Sequence, residues 1–304
     1  MPIDVFRKRM EPVRIIDIPN GETIGYRVRE GGEVPVVLLH GNMTSSYHWD
    51  LVFEAMDERY TLYAMDMRGF GASSYEEPIE SLHDFAADVE AFVDALDLES
   101  FHLWGWSTGG GVAVSVAASL LDRVRSLVLM APVSTRGYPI YAKDEDGQPT
   151  DEIAVEYETI ANDPVQVAPM VAANEAGDRE AYRNVWNSLI YTHNSPEEAR
   201  YEAYVDDMLT QRNLADVFYA LAHFNVSGEE NAYGPGDGSA SDVEAPALVL
   251  RGDRDLVITR EMVEEILADL PETTFVELED CGHSPPVDAL DDLVAHVEEF
   301  LAEH

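Results

Sequence analysis

The segment Phe101-His-Leu-Trp-Gly105-Trp106-Ser107-Thr108-Gly109-Gly110 constrains this chain more than any other. An apolar stretch suited to a buried strand runs straight into Gly-x-Ser-x-Gly. Small residues then follow in what reads as a helix (Gly110, Gly111, Ala113, Ser115, Ala117). A strand that turns into a helix within a residue or two crowds its own backbone, and glycines beside the turn relieve the crowding. The residue at the apex is held in a strained conformation, its side chain clear of the strand end. A serine there, above a helix N-terminus, is placed to attack a carbonyl. The resulting oxyanion would be met by backbone N–H groups. The bland alternative is a glycine-rich packing turn. A strand before and a small-residue helix after argue against it.

The rest of the chain supplies a frame for such a turn. Short apolar runs at 36–39 (VVLL), 62–65, 101–104, 127–130, 247–250 and 274–278 read as strands, and unbroken apolar runs suit strands buried on both faces of a parallel sheet. Residues 13–18 and 23–29 flank Asn20-Gly21 and read as a hairpin. Helical spacing marks 82–96, with Phe85, Val89, Phe92, Val93 and Leu96 on one face, and again 290–301. This alternation predicts an α/β fold with a mostly parallel central sheet flanked by helices. It is interrupted once. Helical patterns at 165–174, 179–190 and 196–222 precede a loop-like stretch at 225–242 rich in Gly, Ser, Glu and Asn. The expected division is a first core part at 1–132, an inserted helical cap at 133–242 and a second core part at 243–304.

A nucleophilic serine needs a base, and the base needs an orienting acid. His283 lies in Cys281-Gly282-His283-Ser284-Pro285, just past the last strand, and alone among nine histidines occupies a late loop of this kind. Asp253 and Asp255 both follow the preceding strand, in Arg251-Gly252-Asp253-Arg254-Asp255. All three loops leave strand C-terminal ends, where open α/β sheets gather their sites. Either aspartate fits the acid role by position, and the nearer one could equally cap the turn. The loop His40-Gly41-Asn42-Met43 follows the 36–39 strand. An oxyanion hole needs one N–H from the residue after the nucleophile and one from this loop, which points to Thr108 and Asn42. His40 is expected to be structural. Met43, Trp106, Trp49, Met130 and Tyr138 are candidates for lining a substrate pocket.

Composition decides the solvent more than the chemistry. The 304 residues include 19 Lys+Arg and 59 Asp+Glu, a net charge of −40, and only two lysines, Lys8 and Lys143. With 46% hydrophobic residues interleaved along the length, this is a folded acidic chain and not a disordered tail. Such a charge argues against nucleic-acid or anionic-membrane partners. It fits a very salty cytoplasm, because at ~1 M salt the screening length falls to ~3 Å. It should also bias the site toward neutral substrates, less so as salt rises. One cysteine, Cys281, excludes a disulfide framework and a thiolate metal cluster. No apolar run reaches the ~18 residues of a membrane span. Met1-Pro2-Ile3-Asp4 lacks the start of a secretory signal, so a cytoplasmic location is expected.

Together these residues resemble the α/β-hydrolase superfamily. The resemblance runs through His40-Gly41-Asn42, Asp66-Met-Arg-Gly-Phe-Gly71, Gly105-Trp-Ser-Thr-Gly109, Gly252-Asp-Arg-Asp255 and Gly282-His283, in order over nearly the whole chain. It implies the α/β-hydrolase fold with a helical cap. It also implies a triad in the order Ser107, Asp255, His283, which favours Asp255 over Asp253. The stretch His40–Trp49 (HGNMTSSYHW) is similar to a loop of haloalkane dehalogenases. Those enzymes and epoxide hydrolases use an aspartate nucleophile, whereas Ser107 suits acyl transfer to water. The Gly-Trp-Ser-Thr-Gly-Gly elbow is similar to that of hydrolases of hydroxybutyrate esters. The expected activity is carboxylic-ester hydrolysis of a small-molecule ester with no metal or organic cofactor. A C–C bond hydrolase, a lactonase and a cofactor-free perhydrolase are alternatives on the same residues, and a non-catalytic binding protein is the alternative from another class.

Overall fold

The protein is described here from a computed structural model, in which residues 11–144 and 146–304 are placed. Met1-Pro2-Ile3-Asp4 and Lys8 lie outside the described residues. Eight strands form one sheet: β1 (Arg14–Asp17), β2 (Thr23–Arg29), β3 (Val34–Leu39), β4 (Tyr60–Met65), β5 (Phe101–Trp106), β6 (Val124–Met130), β7 (Ala247–Gly252) and β8 (Thr273–Leu278). Their spatial order is β1-β2-β4-β3-β5-β6-β7-β8. The hairpin β1–β2 and the β2–β4 pair are antiparallel, and every other pair is parallel. Val36, Val37, Leu38 and Leu39 are fully buried, as the VVLL run requires of a strand covered on both faces.

The chain steps from β3 to β4 on one side and then crosses to β5 on the other. The loops after β3 and β5 therefore part company at a crevice, the place where α/β sheets hold ligands. The register sets their closeness, since Leu39 lies beside Gly105, Trp106 beside Met130, and Gly252 beside Leu278. Helix α1 (Leu82–Ala95) begins in a capping box between Ser81 and Asp84. Helix α2 (Thr108–Ser119) is buried from Thr108 to Ala117 and packs on β5 and β6. Its small residues make that approach feasible. A Cβ on Gly110 would stand 2.6 Å from Pro132 Cβ, and one on Gly111 2.7 Å from Val133 Cγ1.

Between β6 and β7 come α3 (Ala168–Ala176), α4 (Arg179–Leu189), α5 (Glu198–Met208) and α6 (Leu214–His223). Gly177, left-handed at φ 63°, ends α3, and the Asp178 carboxylate caps α4 by accepting from the Glu180 and Ala181 amides. Two details depart from expectation. The single helical pattern over 196–222 is two helices, broken over 209–213 by the polar run 210–213, because tertiary partners there outcompete the helix. Arg212 N–H donates to Gly69 O at 2.8 Å and Asn213 Nδ2 to Arg68 O at 2.8 Å. A small antiparallel pair, Tyr141–Lys143 with Pro149–Ile153, was also not expected; Gly147 at φ 76° allows its turn. After β7 and β8 come α7 (Arg260–Asp269) and α8 (Leu290–Glu303). No helix among the described residues is long and apolar enough to cross a membrane.

Candidate active site

Ser107 has φ 55° and ψ −117°, a conformation costly for any residue with a Cβ. Three hydrogen bonds over-determine it: Ser107 N–H to Met130 O at 3.0 Å, and Gly110 and Val133 N–H to Ser107 O at 2.9 and 3.1 Å. The glycines of the motif serve the turn directly. A Cβ on Gly105 would lie 2.2 Å from Gly109 O, and one on Gly109 2.3 Å from Leu39 O. Across the crevice, Gly41 lets the β3 loop approach until its missing Cβ would sit 3.0 Å from Ser107 Cβ.

The β7 and β8 loops bring the acid and the histidine together. Asp255 Oδ2 lies 2.9 Å from His283 Nδ1, and both residues are buried. The other oxygen, Oδ1, accepts from the Val257 and Ile258 amides at 2.8 and 2.9 Å. Burial acts to raise the Asp255 pKa. The His283 charge, its hydrogen bond and the two amides outweigh that, so the carboxyl lies below its ordinary value. An ionised carboxylate on Nδ1 leaves Nε2 of the neutral ring as the free acceptor. Trp106 Nε1 donates to His283 O at 2.9 Å and so ties the histidine loop to the strand that carries the serine. Asp253, the competing acid, is exposed and caps the neighbouring turn by accepting from Cys281 N–H at 3.0 Å.

His40 is a strut. Its Nε2 accepts from Met67 N–H at 3.0 Å, which leaves Nδ1 to donate to Gly41 O at 2.8 Å. Burial pushes its pKa down to about 4, so it stays neutral. The neighbouring Asn42 and Thr108 flank the serine, and the amides of neither form a backbone hydrogen bond among the described residues. Asn42 is held by a residue that sequence reasoning missed. Gln211, buried in the break between α5 and α6, donates from Nε2 to Asn42 Oδ1 at 2.8 Å and accepts from Met43 N–H at 3.1 Å. Met43 itself sits at φ 59°, so the loop is strained and clamped where it meets the inserted segment. The 169-residue separation of Gln211 from Asn42 leaves no local signal; the only hint is a polar run inside an apolar helical pattern.

Ser107 and His283 open into one cavity of about 590 Å³. Met43, Trp106 and Tyr138 line it, as do Asn42 and Thr108. Met130 does not. It is fully buried at the end of β6, flanked by β5 and β7, and only its carbonyl serves the site. Trp49 is likewise core, edge-on to Trp104 with ring centres 5.2 Å apart. Most of the remaining wall comes from the segment between β6 and β7 (Met170, Val185, Trp186, Ile190, Phe218, Leu221).

A serine at a strained strand-to-helix turn, with a carboxylate–imidazole pair at the same sheet edge, defines the hydrolase class of α/β proteins. The profile of the alpha/beta hydrolase fold family matches residues 34–290, and the chain belongs to that family. Among curated proteins, a haloalkane dehalogenase of Agrobacterium fabrum is 34% identical over 117 residues, which is 38% of this chain and 38% of the dehalogenase. The chain thus spans well under two thirds of that relative. Longer matches are weaker. A pimeloyl-[acyl-carrier protein] methyl ester esterase of Nitrosomonas europaea is 24% identical over 84% of this chain and 90% of its own. A 2-hydroxy-6-oxononadienedioate/2-hydroxy-6-oxononatrienedioate hydrolase of Paraburkholderia phymatum is 26% identical over 86% and 84%. Among solved structures, the enol-lactonase from Burkholderia xenovorans superposes with a TM-score of 0.72 at 18% identity over 95% of this chain and 100% of that one. That last likeness concerns the fold.

Proposed function

We propose that the protein is a serine hydrolase that cleaves a neutral carboxylic ester through an acyl-enzyme on Ser107. The observation that carries this reading is the Asp255–His283 pair, 2.9 Å apart, opening into the same cavity as the strained Ser107. Ser107 Oγ attacks the ester carbonyl while its proton passes to His283 Nε2. Asp255 holds the tautomer and stabilises the imidazolium. The Asn42 and Thr108 amides receive the oxyanion. As the tetrahedral species collapses, the carbon–oxygen bond to the alcohol breaks and Nε2 returns its proton to the departing alkoxide. Water then attacks the acyl carbon, gives its proton to Nε2 and releases the acid, and that proton goes back to Ser107 Oγ.

The cavity wall also speaks for an uncharged ester. The dienedioate substrate named for one relative carries two carboxylates, and among the described residues no Lys or Arg lines this cavity to receive them. The reading includes a small-molecule ester as partner, no nucleic acid, no anionic membrane and no cofactor in the reaction. The net charge of −40 supports a salty, cytoplasmic setting for it. The test is hydrolysis of p-nitrophenyl butyrate in molar KCl. Ser107→Ala is expected to lower kcat by roughly 10⁴-fold or more. Activity equal to the parent enzyme would sink the assignment, and a fluorophosphonate that fails to label Ser107 would favour a non-catalytic binding protein.

A further inference from the structure

The cavity wall is unlike the chain that builds it. The chain holds 59 acidic residues, yet among the described residues no Asp, Glu, Lys or Arg side chain lines the cavity. Apolar surface also runs out through its mouth. Val165, Leu189 and Leu256 all line the cavity, and they are 53%, 42% and 61% exposed. Side chains that face both a cavity and solvent stand where the two meet. Leaving large aliphatic groups in water on so acidic a surface is unfavourable unless something covers them in use. A cavity of about 590 Å³ far exceeds what an acetyl group fills, and lies in the range of sites that enclose a drug-sized ligand.

We infer, on the basis of the ester-hydrolase reading above, that the site selects uncharged esters bearing an extended apolar chain. The chain packs on Met170, Trp186 and Phe218 within, and its far end lies along Val165, Leu189 and Leu256 at the mouth. A carboxylate partway along that chain, among Met170, Trp186 and Phe218 and short of the mouth, would be stripped of water with no cation among the described residues to meet it. Bulk salt does not relieve this penalty, because screening acts in solvent and not inside a dry site. The discrimination against anionic esters therefore persists at molar salt. The whole-molecule field, by contrast, would give a bias that fades as salt rises.

The experiment is a series of p-nitrophenyl esters (acetate, butyrate, hexanoate, octanoate) in molar KCl, with the half-ester of adipate as the anionic match to hexanoate and Ser107→Ala as blank. kcat/KM is expected to rise about two- to fourfold per added methylene. Hexanoate should exceed the adipate half-ester by roughly 100-fold or more in molar KCl, where the field of the whole molecule is screened. Replacing both rim residues, Val165→Gln with Leu189→Gln, should lower the octanoate-to-acetate ratio by about tenfold. Val165 and Leu189 are about half exposed, and neither belongs to the buried core. Ser107-dependent hydrolysis with no chain-length trend, an adipate half-ester turned over as fast as hexanoate, or an unchanged ratio in the rim variant would each overturn the inference and leave the ester-hydrolase reading standing. Failure of every ester overturns that reading itself.

Discussion

On the sheet side of the cavity each proposed catalytic group is held by named partners. Ser107 is fixed by three backbone bonds, Asp255 by two amides and His283, and the His283 loop by Trp106. On the side of the inserted helices, Met170, Val185, Trp186, Phe218 and Leu221 contribute apolar surface. The difference separates two kinds of specification. Directional bonds and backbone crowding tolerate no alternative geometry. An apolar wall tolerates any set of side chains of about the right volume. The proposed chemistry thus lies on the floor and the proposed substrate choice in the roof, and the two meet at Gln211.

Three substitutions bear on that division. The largest effect is expected from Gly109→Ala on the floor, where the new Cβ would meet two backbone oxygens, Leu39 O at 2.3 Å and His40 O at 2.5 Å. Neither can swing aside as a side chain does. Stability should fall by about 3 kcal/mol or more, read from the denaturant midpoint in molar salt. An unchanged midpoint would show that the elbow is not locked. Next comes the junction. Gln211→Ala frees Asn42 and the strained Met43, and should lower kcat about tenfold with KM within about twofold if, as proposed, the clamp positions an oxyanion donor. A rise in KM alone would move Gln211 to the roof. The smallest effect is expected from Phe218→Ala in the roof, with KM for butyrate raised about threefold and kcat nearly kept. A loss of kcat as large as that in Gln211→Ala would erase the distinction.

The floor was largely legible in the sequence. Gly-x-Ser-x-Gly between an apolar run and small residues is a local steric necessity, and the loops after the β3, β7 and β8 strands could be aligned on one edge once the sheet was taken as parallel. Asp255 and Asp253 could not be separated by position. Geometry separates them, because Asp255 faces His283 while Asp253 accepts from Cys281 N–H on an exposed turn. The roof was legible only as helices. Which side chains of an amphipathic helix face a cavity and which face its own core depends on docking. Tyr191 and Phe224 went to the core, Trp186 and Phe218 to the cavity. Met130 reads like a pocket residue, yet its place at the end of β6, with β5 on one side and β7 on the other, leaves it fully buried.

By itself the sequence determined the family, the elbow and the strand edge that gathers Ser107, Asp255 and His283, because each follows from short-range sterics, a period of apolar residues and the order of the motifs. Only the tertiary structure decided the break that delivers Gln211 to Asn42 and the uncharged wall, among the described residues, in so acidic a chain. Those depend on contacts between residues far apart in the chain, which no local propensity encodes.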